Sequence, residues 1–234
     1  MTRPIDASDP HKRLYKDTDD ERVWQRWLPT GLFYGVTCNP SLLLRSHIPC
    51  EPETLSRLAQ QAFQLGVQEV HLQAWGDSAE ALRQMGQTLG SLDSRIVVKL
   101  PATQAGTTAA KQLIDADIPV TITAVYAVHQ ALIAAAIGAS YVAPYLGRMT
   151  DAGQDGRGAI TTKQKILNRV QSKTRILTAS IREIEDIAVL AAQGVDTFTF
   201  SEKIAEAFFA VPETLDATAV FEKAAAEMVG LSSS

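Results

Sequence analysis

Eight times along this chain a short run of apolar or β-branched residues is followed by a longer amphipathic stretch, and this alternation constrains the fold more than any other feature. The predicted strands are Arg13–Asp17, Tyr34–Thr37, Glu69–Gln73, Arg95–Leu100, Val120–Thr123, Ser140–Tyr145, Arg175–Thr178 and Thr197–Phe200. Apolar residues at helical spacing predict helices over Asp20–Leu28, Glu53–Leu65, Ser78–Leu89, Thr107–Ala116, Val128–Ile137, Thr161–Gln171 and Glu183–Gln193. Gly66, Gly138 and Gly194 stand at the ends of such stretches, where a left-handed residue closes a helix. Gly153–Gly158 is expected to be a glycine-rich loop after the sixth strand. Two more helical stretches, Glu202–Phe209 and Ala217–Val229, finish the chain. Strand–helix units repeated in this way build parallel sheets, and 234 residues suit an α/β fold closed as a (β/α)8 TIM barrel. The expectation is one domain over 1–234, with a polar N-terminal extension at 1–12 and an additional C-terminal helix at 217–229. No G-x-G-x-x-G follows the first strand, which argues against a dinucleotide fold.

Composition narrows the function classes. Hydrophobic residues make up 46% and charged residues 21%, the balance of a soluble globular protein. A net charge of −4 with scattered Lys and Arg gives no footprint for nucleic acid. The longest apolar stretch, near Ala131–Ile137, is too short to span a bilayer, and residues 1–13 resemble no signal peptide or membrane anchor. Cys38 and Cys50 have no metal-site spacing, and the four histidines are scattered, so no metal is expected and the setting reads as cytoplasmic and reducing.

The chemistry points to Ile96-Val97-Val98-Lys99-Leu100-Pro101. A lysine carried into apolar surroundings either lets its head escape to water or loses its proton more readily, and a neutral amine attacks carbonyls. In a barrel the active site lies at the C-terminal strand ends. That rule gathers Asp17, Thr37, Cys38, Asn39, Gln73, Lys99, Thr121, Thr123, Tyr145 and Ser180, with Arg148 in the loop after strand six and Arg182 two residues beyond Ser180. Each has a structural alternative: Asp17 as a turn cap, Asn39 as an Asx-turn before Pro40, Tyr145 as a half-buried aromatic. Together they form a reactive constellation in which Lys99 attacks a ketone and the iminium draws electrons from the neighbouring carbon–carbon bond. Asp17 and Asn39 would orient the amine and the hydroxyls, Gln73, Thr123 and Tyr145 would hold a proton-shuttling water, and Arg148 and Arg182 would hold a phosphate.

These segments resemble the transaldolase family. Gly35-Val36-Thr37-Cys38-Asn39-Pro40-Ser41-Leu42 is similar to its G-V-T-T-N-P-S signature, and Leu14-Tyr15-Lys16-Asp17-Thr18 to its first-strand motif. Val97-Val98-Lys99-Leu100-Pro101 resembles its Schiff-base lysine motif, and Val142–Arg148 and Thr178–Arg182 follow in order. The resemblance implies a cofactor-free enzyme acting on the C3–C4 bond of a ketose phosphate. It also implies a substrate set of Thr37, Asn39, Ser180, Arg148 and Arg182, and a homo-oligomer, pentamer or decamer, packed through the C-terminal helix. Transaldolases commonly carry glutamate at the end of strand three and phenylalanine before the loop arginine. Gln73 and Tyr145 therefore lean towards the fructose-6-phosphate aldolase branch, while Arg182 leans towards true transaldolase. A catalytically silent sugar-phosphate-binding barrel is the third alternative. Cys38 stands where the family has a second threonine, which leaves any hydroxyl contact there in question.

Overall fold

The computed structural model describes residues 13–231. The extension at 1–12 lies outside the described residues. Eight parallel strands close into a barrel in chain order: β1 (Arg13–Asp17), β2 (Gly35–Thr37), β3 (Glu69–Gln73), β4 (Ile96–Pro101), β5 (Val120–Val125), β6 (Tyr141–Pro144), β7 (Arg175–Thr178) and β8 (Thr197–Phe200). The barrel closes through β1 and β8, with Tyr15 opposite Thr199. Helices surround it: α1 (Glu21–Trp27), α2 (Pro40–Arg45), α3 (Pro52–Gln64), α4 (Ala79–Gly90), α5 (Gln104–Asp115), α6 (Gln130–Ile137), α7 (Leu146–Asp151), α8 (Gly156–Arg169), α9 (Ile184–Ala192), α10 (Glu202–Ala207) and α11 (Pro212–Leu231). The (β/α)8 expectation holds, and the surplus C-terminal helix starts at Pro212 rather than Ala217.

Two corrections concern the strand-to-helix turns. Asn39-Pro40 opens the short helix α2, with Asn39 as its N-cap and Pro40 in its first turn, where the missing N–H costs nothing. The segment expected to be a glycine loop after strand six is preceded by α7, which carries Arg148, and its second half, residues 156–158, belongs to α8. Asp155 caps α8 by accepting from the Gly158 amide at 2.9 Å. Gly156 is there for contact: a Cβ would lie 2.8 Å from the Leu146 side chain. Glycines needed for close packing look, in a sequence, like glycines needed for a turn.

Period-two alternation sorts the strand residues into two cores. Outward-facing Val36, Val70, Leu72, Ile96, Val98, Leu100, Ile122 and Val142 join the helices in the large annular core. Inward-facing Tyr15, Val97, Tyr141, Ala143 and Leu177 form a smaller one inside the barrel. Beneath it the lumen is polar. Glu69 accepts from Tyr15 at 2.7 Å and Tyr141 at 2.8 Å and meets Arg13 at 3.2 Å. His71 lies between Glu69, 3.2 Å from Nε2, and Thr121, 3.0 Å from Nδ1. Burial drives the His71 imidazole towards its neutral form, so Nε2–H donates to the carboxylate and Nδ1 accepts from the hydroxyl. Burial alone would raise the Glu69 carboxyl, but the bonds from His71 and Tyr15 and the Arg13 charge outweigh it and hold it below the usual range. These groups satisfy one another and leave a rigid floor under the strand ends above.

Candidate active site

Above that floor the strand ends open into a cavity of about 500 Å³. Asp17, Thr37, Asn39, Gln73, Lys99, Thr123, Tyr145, Arg148, Ser180 and Arg182 all line it. Those ten residues come from the C-terminal ends of seven strands and the turns that follow them, which is how a barrel assembles a site from distant sequence.

Lys99 stands at its base. The side chain is 6% exposed, and its Nζ donates to the Cys38 carbonyl at 3.0 Å. Strand register sets the neighbours: Gln73 and Thr121 flank Lys99 on β3 and β5. Thr37 donates to Asp17 at 2.7 Å and shares a 2.7 Å bond with Thr199, so the β1, β2 and β8 ends are tied together. Thr123 and Tyr145 share a 2.8 Å hydroxyl pair on the opposite wall. Asn39 Oδ1 is occupied, accepting from the Ser41 and Leu42 amides at 3.0 and 3.1 Å, which turns the Nδ2 donor loose for a ligand.

One end of the cavity is built by the turns after β6 and β7. Arg148 lies over the Tyr145 ring, 4.8 Å from its centroid, and reaches the Tyr126 hydroxyl at 3.5 Å. Arg182 pairs with Asp151 at 2.9 Å. Gly147 lets the two turns approach: a Cβ there would sit 2.3 Å from the Ser180 carbonyl. Ser180 and Ala124, both on the cavity wall, hold left-handed backbone at φ 60° and 56°, a conformation that non-glycine residues adopt at some cost.

Some expectations change in detail. Thr121 faces the layer below, bonded to His71, and does not line the cavity. Cys38 points its side chain into the outer core, where burial pushes the thiol up to about 12, and contributes only its main-chain carbonyl. Sequence reasoning missed that carbonyl, along with Thr199, Ser201 and Arg45, which also line the cavity. The alternation Thr197-Phe198-Thr199-Phe200 could have revealed Thr199. A main-chain acceptor has no residue letter to reveal it.

Comparison with known proteins decides the family. The sequence profile described as Transaldolase/Fructose-6-phosphate aldolase matches residues 14–232. The chain belongs to the transaldolase/fructose-6-phosphate aldolase family. Among its transaldolase relatives, a protein of Nitrosopumilus maritimus named "Probable transaldolase" is 32% identical over 205 residues, covering 86% of this chain and 89% of that protein. Proteins of the same name from Coprothermobacter proteolyticus and Aquifex aeolicus are each 30% identical, covering 84% and 86% of this chain and 88% and 91% of theirs. Among solved structures, a flavocytochrome b2 variant with sulfite bound superposes with a TM-score of 0.57 at 13% identity, over 82% of this chain and 56% of that one. At that identity the likeness is one of barrel fold alone. Among the described residues no helix is long and apolar enough to cross a membrane.

Proposed function

We propose that this transaldolase-family chain is a cofactor-free Schiff-base enzyme that cleaves and forms the C3–C4 bond of ketose phosphates, acting as a fructose-6-phosphate aldolase with dihydroxyacetone as the three-carbon unit. The observation that carries the reading is the Lys99 amine, buried at the cavity base, held by the Cys38 carbonyl and surrounded by Asp17, Thr37 and Asn39. The Lys99 amine adds to the C2 carbonyl of the ketose, and the carbonyl oxygen departs as water after protonation, leaving an iminium. A base takes the C4 hydroxyl proton, the C3–C4 bond breaks, and its electron pair moves into the iminium as an enamine. The aldehyde phosphate leaves. Protonation at C3 and addition of water then release dihydroxyacetone and restore Lys99.

Asp17 and Asn39 orient the ketose hydroxyls, and Thr37 fixes Asp17. Thr123, Tyr145 and Gln73 hold the water that moves protons, a task that needs hydrogen-bond reach rather than an unusual acid. Ser180, Arg148 and Arg182 bind the terminal phosphate. We take the whole chain as one catalytic domain working in the cytoplasm as a homo-oligomer. The second reading is a true transaldolase, in which the enamine attacks erythrose 4-phosphate instead of a proton. Arg182 and the relatives' names favour it. A silent sugar-phosphate-binding barrel has against it the intact Lys99, Asp17 and Asn39 set.

Borohydride reduction in the presence of fructose 6-phosphate, followed by peptide mass mapping, tests the reading. A stable adduct on Lys99 is expected. Lys99→Met is expected to lose on the order of 10⁴-fold or more in turnover while keeping a folded barrel. Retained activity in that variant, or an adduct elsewhere, overturns the mechanism. Adding erythrose 4-phosphate separates the branches: release of dihydroxyacetone marks the aldolase, and a seven-carbon ketose product marks the transaldolase.

A further inference from the structure

One buried amine has no place in the mechanism above. Lys163 stands on α8 between Ile160 and Leu167, on the helix face that packs into the annular core, and its side chain is fully buried. Packing alone would put an apolar residue there. Burial instead brings the amine's pKa from 10.5 down to about 8, and among the described residues no carboxylate pairs with it. Its hydrogen bond goes to the main-chain carbonyl of Tyr126, at 3.2 Å. A lysine kept at that cost for one carbonyl draws attention to the segment that carries it.

That segment joins β5 to α6 and is held from two sides. Gln130, the first residue of α6, accepts from the Tyr126 and Ala127 amides at 2.8 and 2.9 Å, while Lys163 takes the Tyr126 carbonyl from α8. The main chain fixed in this way delivers one side chain to the cavity wall. The Tyr126 ring meets the Tyr145 ring edge-on, with 5.7 Å between centroids, and its hydroxyl accepts from Arg148 at 3.5 Å. Arg148 also lies over the Tyr145 ring, so the three side chains form a closed triangle in which each touches the other two. The second contact on Arg148 removes rotamers that a bound anion would otherwise have to freeze out. Taking the phosphate role of Arg148 from the mechanism above, we propose that Lys163 and Tyr126 are positioning residues for the anion end of the site. Lys163 fixes the Tyr126 main chain, Tyr126 sets Arg148 and Tyr145, and the pair determines how strongly the enzyme prefers a phosphorylated aldehyde to its unphosphorylated counterpart.

The preference is read as kcat/KM for condensing dihydroxyacetone with glyceraldehyde 3-phosphate, divided by that for glyceraldehyde. Tyr126→Phe keeps the ring and is expected to lower this ratio about fivefold, the cost of ordering one freed arginine side chain. Lys163→Met keeps the packing volume and is expected to lower it about threefold. Damage to the fold would reduce both aldehydes alike and leave the ratio where it was. Because Lys163 acts through Tyr126, the double variant is expected to lose no more than Tyr126→Phe alone. An unchanged ratio in either single variant, or losses that multiply in the double, would overturn the proposal. Glucitol 6-phosphate has no carbonyl, so its affinity in calorimetry follows the anion end without any covalent step. It is expected to fall by the same factors in the two variants, even in a protein that gives no borohydride adduct. Equal affinity in wild type and variants counts against the positioning pair alone, whereas a wild-type protein that does not bind it removes the anion end and the proposal with it.

Discussion

At the scale of single residues, the site depends on which polar atoms are free and which are spent. Asn39 uses its oxygen to cap α2, and its nitrogen is the donor the proposed mechanism gives to the ligand. Tyr145 shares its hydroxyl with Thr123 while its ring carries Arg148. Gln73, beside Lys99 in the strand register, has no proton to exchange at neutral pH, so in the proposed mechanism proton transfer falls on Tyr145. Gln73→Glu places a carboxylate there. It is expected to raise the ratio of transfer to cleavage several-fold, read by quantifying the seven-carbon ketose against free dihydroxyacetone; an unchanged ratio would mean that position 73 does not set the branch. Ten candidate residues were legible in the sequence because strand ends can be located from the alternation and barrel chemistry sits there. Arg45 was not legible, because α2 is only Pro40–Arg45, too short for its periodicity to show a face.

At the scale of elements, β1 carries an unusual load. Between Tyr15 and Asp17, which face the lumen, Lys16 faces outward and is fully buried. Among the described residues its Nζ has no hydrogen-bond partner. Burial brings its pKa from 10.5 down to about 8, against the opposing pull of Glu202, Asp17 and Glu206. Below pH 8 the ammonium is charged in both folded and unfolded chains, so the full cost of burying it is present. Between about 8 and 10.5 the unfolded chain binds more protons, and stability climbs with pH. Lys16→Met is therefore expected to stabilise the fold at pH 7 by on the order of 3 kcal/mol. The gain should shrink as the pH rises towards 10.5, which thermal melts across that range would show; a gain independent of pH would assign the effect to packing instead. The strands were largely legible: β1, β3, β7 and β8 match their predicted bounds. The misses were α2 and α7, both six residues long, where caps and tertiary contacts outweigh local pattern.

At the scale of the whole molecule, α11 stands apart. Its apolar residues are exposed, Leu215 at 59%, Val220 at 64% and Phe221 at 69%, while the helices of the barrel wall bury their apolar faces. A second copy of the chain is the proposed occupant of that surface. Phe221→Glu is expected to shift the protein to a smaller species in light scattering while leaving the barrel folded by circular dichroism. A wild-type protein that already runs as a monomer would remove the oligomer from the reading.

The Cys38 carbonyl has a consequence for how such a site changes over time. The acceptor that fixes the Lys99 amine belongs to the main chain, so no exchange of side chain at position 38 removes it. Cysteine in place of threonine then leaves the Lys99 amine where it was, and the position is free to drift between small residues that fit the outer core. A search for the lysine's holder by side-chain identity would pass over it, and mutational scanning would report position 38 as tolerant although it touches the proposed nucleophile.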